Sequence, residues 1–365
     1  MNKSLKVRQI CFFFIALLPV AKFFMLPSLL SEVAQEDGWI SAALSCALDL
    51  FTIAALFLTL KDTDCDFFTL TEKHFGKSFA KIVAALYFVF FLLKTLLPLC
   101  EVKDYVELTL YMTTPTVVTF CPVFAVIFYL CLKRLRVIGR IADGVLAVAL
   151  IGYISLFALS ETNADFSALL PIGGRGFPAI ARGAYYSQTW FSDAAYFLFF
   201  TGEYVKSKKD GLKILLSVCV SSLIVLIFCA VFYGTFGSIA FRQRFALTEI
   251  SKYASVISNV ERFDYIAIFA LLFTSVFALS LPFYFATELF TRVFPVKRWI
   301  AAIITCLPSA IMLIFFSEYF SGVENFIINY ANAFFLFMGS VFPVAVCAVL
   351  KIKTKKEKKL EIRQG

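Results

Sequence analysis

Leu18-Pro19-Val20-Ala21-Lys22-Phe23-Phe24-Met25-Leu26-Pro27 is the stretch whose reading decides the fold. It is the middle of an apolar run, with a lysine at its centre and a proline on either side. Each proline removes a backbone donor and crowds the carbonyl one turn earlier, so a helix through this stretch kinks or unwinds beside the charge. A lysine in hydrocarbon costs about 2.5–3.5 kcal/mol even on lenient insertion scales, so it faces a partner or a wet cavity. A broken membrane helix with a charge at mid-depth is a candidate binding site.

Working outward, the chain has 365 residues of which 61% are hydrophobic and only 16% charged, too apolar for a soluble domain. Apolar runs long enough to span a bilayer recur at 8–30, 39–60, 80–110, 115–133, 141–159, 179–204, 211–236, 263–290, 298–317 and 326–350. They predict an all-α polytopic membrane protein with ten transmembrane helices, spans 1 to 10. Residues 1–350 form a single integral membrane domain and 351–365 a basic tail. The first run follows a basic start, but it is too long for a signal sequence and holds Lys22, so it reads as an uncleaved helix.

The net charge of +9 is distributed by membrane side. With the N-terminus inside, 25 of the 34 Lys and Arg fall in cytoplasmic segments and seven outside, while Lys22 and Lys94 lie within spans. This positive-inside pattern places both termini in the cytoplasm and excludes nucleic acid as the reason for the charge. The tail from Lys351 to Lys359 suits anionic membrane lipids. No Walker A loop, dinucleotide glycine motif, metal-ligand spacing or nucleophile elbow is present, and the one histidine, His74, sits in a charged loop. The expectation is a protein that is not an enzyme and carries no cofactor or metal. Ten scattered cysteines without a CxxC pair read as small apolar residues.

Polar residues within the spans mark the rest of the site. Asp49 lies about 15 Å into span 2 at helical rise. Lys94 is deep in span 3, where it either snorkels to an interface or joins the site. Glu101, Asp104 and Glu107 follow on one helical face, as a solvated outer extension or an attractive approach for a cationic or zwitterionic ligand. Span 6 is the least apolar, with Ser187, Gln188, Thr189, Trp190, Ser192 and Asp193, and must line a cavity or pack on other helices. Span 8 carries Thr274, Ser275 and Ser280, and span 10 carries Asn329 and Asn332. Residues 61–78 read as a short amphipathic helix on the inner surface, and 237–262 as a structured outer connection.

The interrupted spans are the first and the sixth of ten, the pattern of two five-span inverted repeats at about 8–159 and 179–350. Half-helix N-termini at such breaks offer N–H groups to an anionic ligand, and an amino-acid carboxylate fits. Phe23, Tyr185, Tyr186 and Trp190 are candidates to enclose its apolar part. The expected binding set, between spans 1, 3, 6 and 8, is Ala21, Lys22, Phe23, Lys94, Ser187, Gln188, Trp190, Asp193 and Thr274. Lys22 either pairs with Asp49 or Asp193, or holds the ligand carboxylate, or stands in for a coupling cation. Asp49 is its counter-ion or a proton carrier.

Several pieces together resemble the spore germination permease-like proteins, the B subunits of GerA-type germinant receptors, a branch of the amino acid-polyamine-organocation superfamily. They are the first span ending Met25-Leu26-Pro27, Asp37-Gly38-Trp39-Ile40-Ser41 opening span 2, and Thr114-Pro115 before span 4. Further on come the segment from Leu169 to Ala184 (LLPIGGRGFPAIARGA) entering span 6, Glu261-Arg262-Phe263-Asp264 opening span 8, and the basic tail. The resemblance covers essentially the whole chain. It implies a LeuT-type fold in the inner spore membrane and partnership with an A subunit and a lipoprotein C subunit. It also implies sensing of a small germinant such as an amino acid. The same fold serves amino-acid symporters and exchangers, the alternative function. Many relatives carry glycines in the unwound part of span 1, where this chain has Pro19, Val20, Ala21 and Lys22.

Overall fold

The computed structural model describes residues 5–60, 65–160, 164–204, 207, 209–253, 264–316 and 319–352. The basic tail after Ile352, the first four residues, and the Glu261-Arg262-Phe263 piece lie outside the described residues.

Span 1 is two helices, α1 (Val7–Leu17) and α2 (Leu26–Ala34), separated by a single 3-10 turn at Val20–Lys22. Pro19 ends the first helix because it has no N–H to give Ile15, and Pro27 starts the second because its fixed φ suits a first turn. The carbonyls freed between them are not left bare: Phe24 accepts from the Ala246 N–H at 2.9 Å and Phe23 from the Leu247 N–H at 3.2 Å. Those donors open α11 (Ala246–Tyr253), so the structured outer connection reaches into the break. Phe23 stacks on Phe228 with ring centroids 4.2 Å apart.

Span 6 breaks in the same way. Helix α8 (Phe177–Tyr186) gives way to a 3-10 turn at Ser187–Thr189, and α9 (Ala194–Phe200) resumes after Asp193. Ser192 takes the left-handed conformation with φ 61, unusual for a residue with a side chain. Its hydroxyl donates to the Phe335 carbonyl at 3.1 Å. Its Cβ lies against Gly339, where an added methyl would come within 2.4 Å of it.

The remaining helices are α3 (Gly38–Leu60), α4 (Phe67–Phe75), α5 (Lys77–Tyr105), α6 (Thr116–Cys131), α7 (Leu135–Ser160), α10 (Asp210–Phe236), α12 (Asp264–Val293) and α13 (Arg298–Phe315). Span 10 is α14 (Phe320–Tyr330), α15 (Asn332–Leu336), a π turn at Phe337–Val341 and a further helical stretch to Ile352. Among the described residues there is no strand, only one isolated bridge between Leu5 and Tyr204. Seven helical stretches there are long and apolar enough to cross a membrane, so this is an integral membrane protein, although length alone does not establish ten spans. Span 4 falls short because α6 has 16 residues, and spans 1 and 6 because each is divided.

Helix α12 runs through the centre, packed on α5, α6, α7 and α13, while α1 wedges between α7, α10 and α12. The amphipathic segment forms α4, but its apolar face covers protein rather than lipid. Phe67 and Phe68 are buried, with Phe68 against Tyr87 of α5 and Phe199 of α9. At the start of α3, Asp37 accepts from the N–H groups of Gly173 at 2.7 Å and Arg175 at 3.1 Å. That carboxylate ties the start of α3 to the loop leading into α8, linking two sequence pieces 136 residues apart.

Candidate functional site

Four buried charges meet where the two breaks face each other. Lys22 donates to Asp193 Oδ2 at 2.5 Å and to the Leu18 carbonyl at 3.1 Å. Lys94, from α5, reaches the other Asp193 oxygen at 3.1 Å and bonds the Phe191 and Thr189 carbonyls. One carboxylate thus holds both ammonium groups. Asp49 sits behind it and accepts the Asp193 backbone N–H at 3.1 Å. Lys22 lies over the Phe191 ring and Lys94 near the Tyr196 ring, at 5.1 and 5.7 Å from the centroids. With Lys22 and Lys94 only 3% and 5% exposed, neither reaches an interface, so Lys94 does not snorkel.

The local sequence explains why the lysines are held there. Pro98 has no N–H for the Lys94 carbonyl, so α5 is loosened one turn from that lysine. Unwinding at spans 1 and 6 exposes carbonyls at Leu18, Thr189 and Phe191, and the two lysines satisfy them. Desolvated backbone oxygens near an ammonium are what makes a buried lysine tolerable.

A cavity opens against this cluster. Spans 1, 3, 6 and 8 all line it. Its polar end is Lys22, Lys94, Asp193 and Thr189; its apolar walls include Val20, Phe24, Val102, Trp190 and Leu279. Of the expected binding set, the structure brings Ala21, Lys22, Lys94, Trp190 and Asp193 to this cavity. Phe23 points instead to Phe228 and Tyr153. Ser187 and Gln188 turn to α3, each bonded to Ser45 and to the Ala184 carbonyl. Thr274 bonds the Ala270 carbonyl of its own helix, and its neighbour Ser275 lines the cavity in its place. Tyr185 and Tyr186 face each other away from it.

Asp49 lines a second, small cavity on the far side of the ion pair, between α1, α3 and α10. Leu18, Lys22 and Asp193 line both spaces, so the pair is the partition between them.

The acidic stripe divides. Glu101 is fully buried, not a solvated extension: its Oε1 accepts from Trp190 Nε1 at 2.6 Å, and among the described residues its Oε2 has no hydrogen-bond partner. Asp104 and Glu107 stay near the surface, paired with Lys103, and Asp104 also takes Arg244 at 2.6 Å. Asn329 and Asn332 also part: Asn332 is buried and accepts from Thr189 at 3.0 Å, while Asn329 bonds its own helix at an exposed position. Sequence reasoning missed Phe24, Pro98 and Tyr196 as lining residues; the proline four positions after Lys94 was the available signal.

Two discontinuous helices crossing at mid-depth, with a charged cavity at the crossing, define a transporter-type membrane protein of the LeuT fold. Among solved structures, the chain is similar to the crystal structure of a mutant manganese transporter from Eremococcus coleocola. The TM-score is 0.55 at 12% sequence identity, covering 94% of this chain and 78% of that one. At that identity the likeness speaks for the fold alone. A family model described as spore germination protein matches residues 4–325, and the chain belongs to that family. Comparison with curated proteins finds no match.

Proposed function

We propose that this chain is a non-catalytic membrane subunit of a spore nutrient germinant receptor, binding a small germinant in the first cavity and signalling its occupancy to partner subunits. The observation that carries the reading is the charged end of an otherwise apolar cavity between the two broken spans, where two buried ammonium groups share the single Asp193 carboxylate. Such an end takes a carboxylate. The walls take a short aliphatic chain. An α-ammonium group finds the faces of Phe24 and Trp190, and the Ala278 carbonyl, to which Pro282 has no N–H to give. An amino acid therefore suits the chemistry of the lining.

Family membership supports a role in germination, and with it a place in the inner spore membrane beside an A subunit and a C lipoprotein. The bias of Lys and Arg supports cytoplasmic termini. Ligand occupancy shifts a conformational equilibrium by whatever free energy it favours one state, and the partners read that shift. A second reading, secondary transport of the same ligand, is favoured by the second cavity across the ion pair, which extends the path beyond the site.

The test uses spores whose only receptor is the operon containing this gene, screened against single amino acids. Lys22→Met, at normal protein level, abolishes the response to whichever amino acid works. A wild-type response in those spores removes Lys22, and with it this cavity, from the function. Uptake of labelled amino acid by vesicles holding the chain alone decides for transport.

A further inference from the structure

We infer that Asp49 is a proton-binding site served by the second cavity, and that its protonation is linked to occupancy of the first. The linkage rests on the ligand-site reading above; the proton site itself does not.

Both lysines ion-pair with Asp193, and among the described residues Asp49 keeps one hydrogen-bond donor, the neutral Asp193 peptide N–H. A carboxylate offers about four lone-pair positions, so most of those on Asp49 remain open to a proton. Yet the side chain is 5% exposed, and the space it meets is the second cavity. There it is accompanied by Cys46 and by Ser221 and Ser222, and the two serine hydroxyls can pass a proton. A metal cation is a poor occupant, because the Lys22 ammonium lines the same space and hard cations want about six or more oxygen ligands. A proton needs one oxygen.

The groups facing Asp49 set the sign of the linkage. The break of span 1 presents Lys22, α5 presents Lys94, the break of span 6 presents Asp193, and α3 itself presents Cys46. Helix α10 contributes the Ser221 and Ser222 hydroxyls, and α1 contributes Phe14 and Leu18. With all four charges present the cluster is neutral. A proton on Asp49 removes one negative charge behind the lysines and leaves them a stronger anchor for a ligand carboxylate. Linkage is reciprocal, so a bound carboxylate draws a proton to Asp49, and affinity falls as pH rises through the titration. The proton also weakens Asp49 as acceptor for the Asp193 N–H, the bond that fixes the break in span 6.

Infrared titration of the ligand-free protein in nanodiscs over about pH 4 to 9 tests the site directly. A protonated-carboxyl C=O absorption should titrate in wild type, vanish in Asp49→Asn and persist in Glu101→Gln. Asp49→Glu covers the case in which the asparagine variant does not fold, and should shift the band rather than remove it. If no titrating band depends on residue 49, the proton site is refuted. Calorimetry with L-alanine and L-leucine then tests the linkage. Affinity for at least one should fall about tenfold across the titration in wild type and stay flat in Asp49→Asn. The same slope in both proteins overturns the linkage. Absence of binding of either amino acid at every pH counts against the ligand-site reading and the linkage together, while the infrared result still decides Asp49.

Discussion

Asp193→Asn removes the one carboxylate that serves two buried ammonium groups. At the observed separations of 2.5 and 3.1 Å, an effective dielectric of about 20 gives gross attractions of roughly 7 and 5 kcal/mol. Desolvation of the three groups cancels most of that. What survives is the cost of stranding charge, about 3–5 kcal/mol when one member of a buried pair is removed. The asparagine leaves Lys22 and Lys94 with carbonyl partners and only Asp49 to balance them. Adding Lys22→Met removes the one positive charge that Asp49 leaves unbalanced, so the double variant should recover about 2 kcal/mol, as expected for residues in direct contact. The assay is equilibrium unfolding in mixed micelles against SDS mole fraction for wild type, both single variants and the double. An Asp193→Asn protein within about 1 kcal/mol of wild type would refute the electrostatic account, as would strict additivity in the double variant.

Three other expectations use the same assay or a simple companion. Gly339→Ala drives a methyl to 2.4 Å from Ser192 Cβ and should cost about 1–3 kcal/mol, with Ser192→Gly restoring part of it. Asp37→Ala leaves the Gly173 and Arg175 N–H groups without their acceptor, and faster hydrogen exchange at those two amides should accompany a loss of about 2–3 kcal/mol. Lys94→Met should silence the germination response as fully as Lys22→Met, because both hold the same carboxylate; a clearly milder Lys94 phenotype would show that only the span 1 lysine meets the ligand.

The charges in apolar surroundings were legible in the sequence because hydrocarbon leaves them few places to go. Lys22, Asp49 and Asp193 are found together for that reason, and the two breaks follow from Pro19 and from the polar run after Tyr186. What sequence left open was direction. One residue of helix turns a side chain by about 100°, so Ser275 rather than Thr274, and Phe24 rather than Phe23, reach the cavity. Lys94 was ambiguous because a long stem reaches an interface or a neighbour equally well, and only the position of Asp193 settles it. Glu101 looked solvated because a carboxylate near a helix end normally is; its burial depends on Trp190, 89 residues away in sequence. Ser187 and Gln188 were correctly read as unable to face lipid, but a helix interface with α3 meets that need as well as a cavity does.

Lys22 and Lys94 fill the carbonyl-lined hollow of the two breaks with cations that are covalently attached. An ion drawn from solution would have to surrender its translational freedom, and its occupancy would follow the salt in the medium. These two are present at every moment and cannot be released on the opposite face. Their place in the hollow does not vary with the salt outside. A gradient of such ions has nothing at this position to drive.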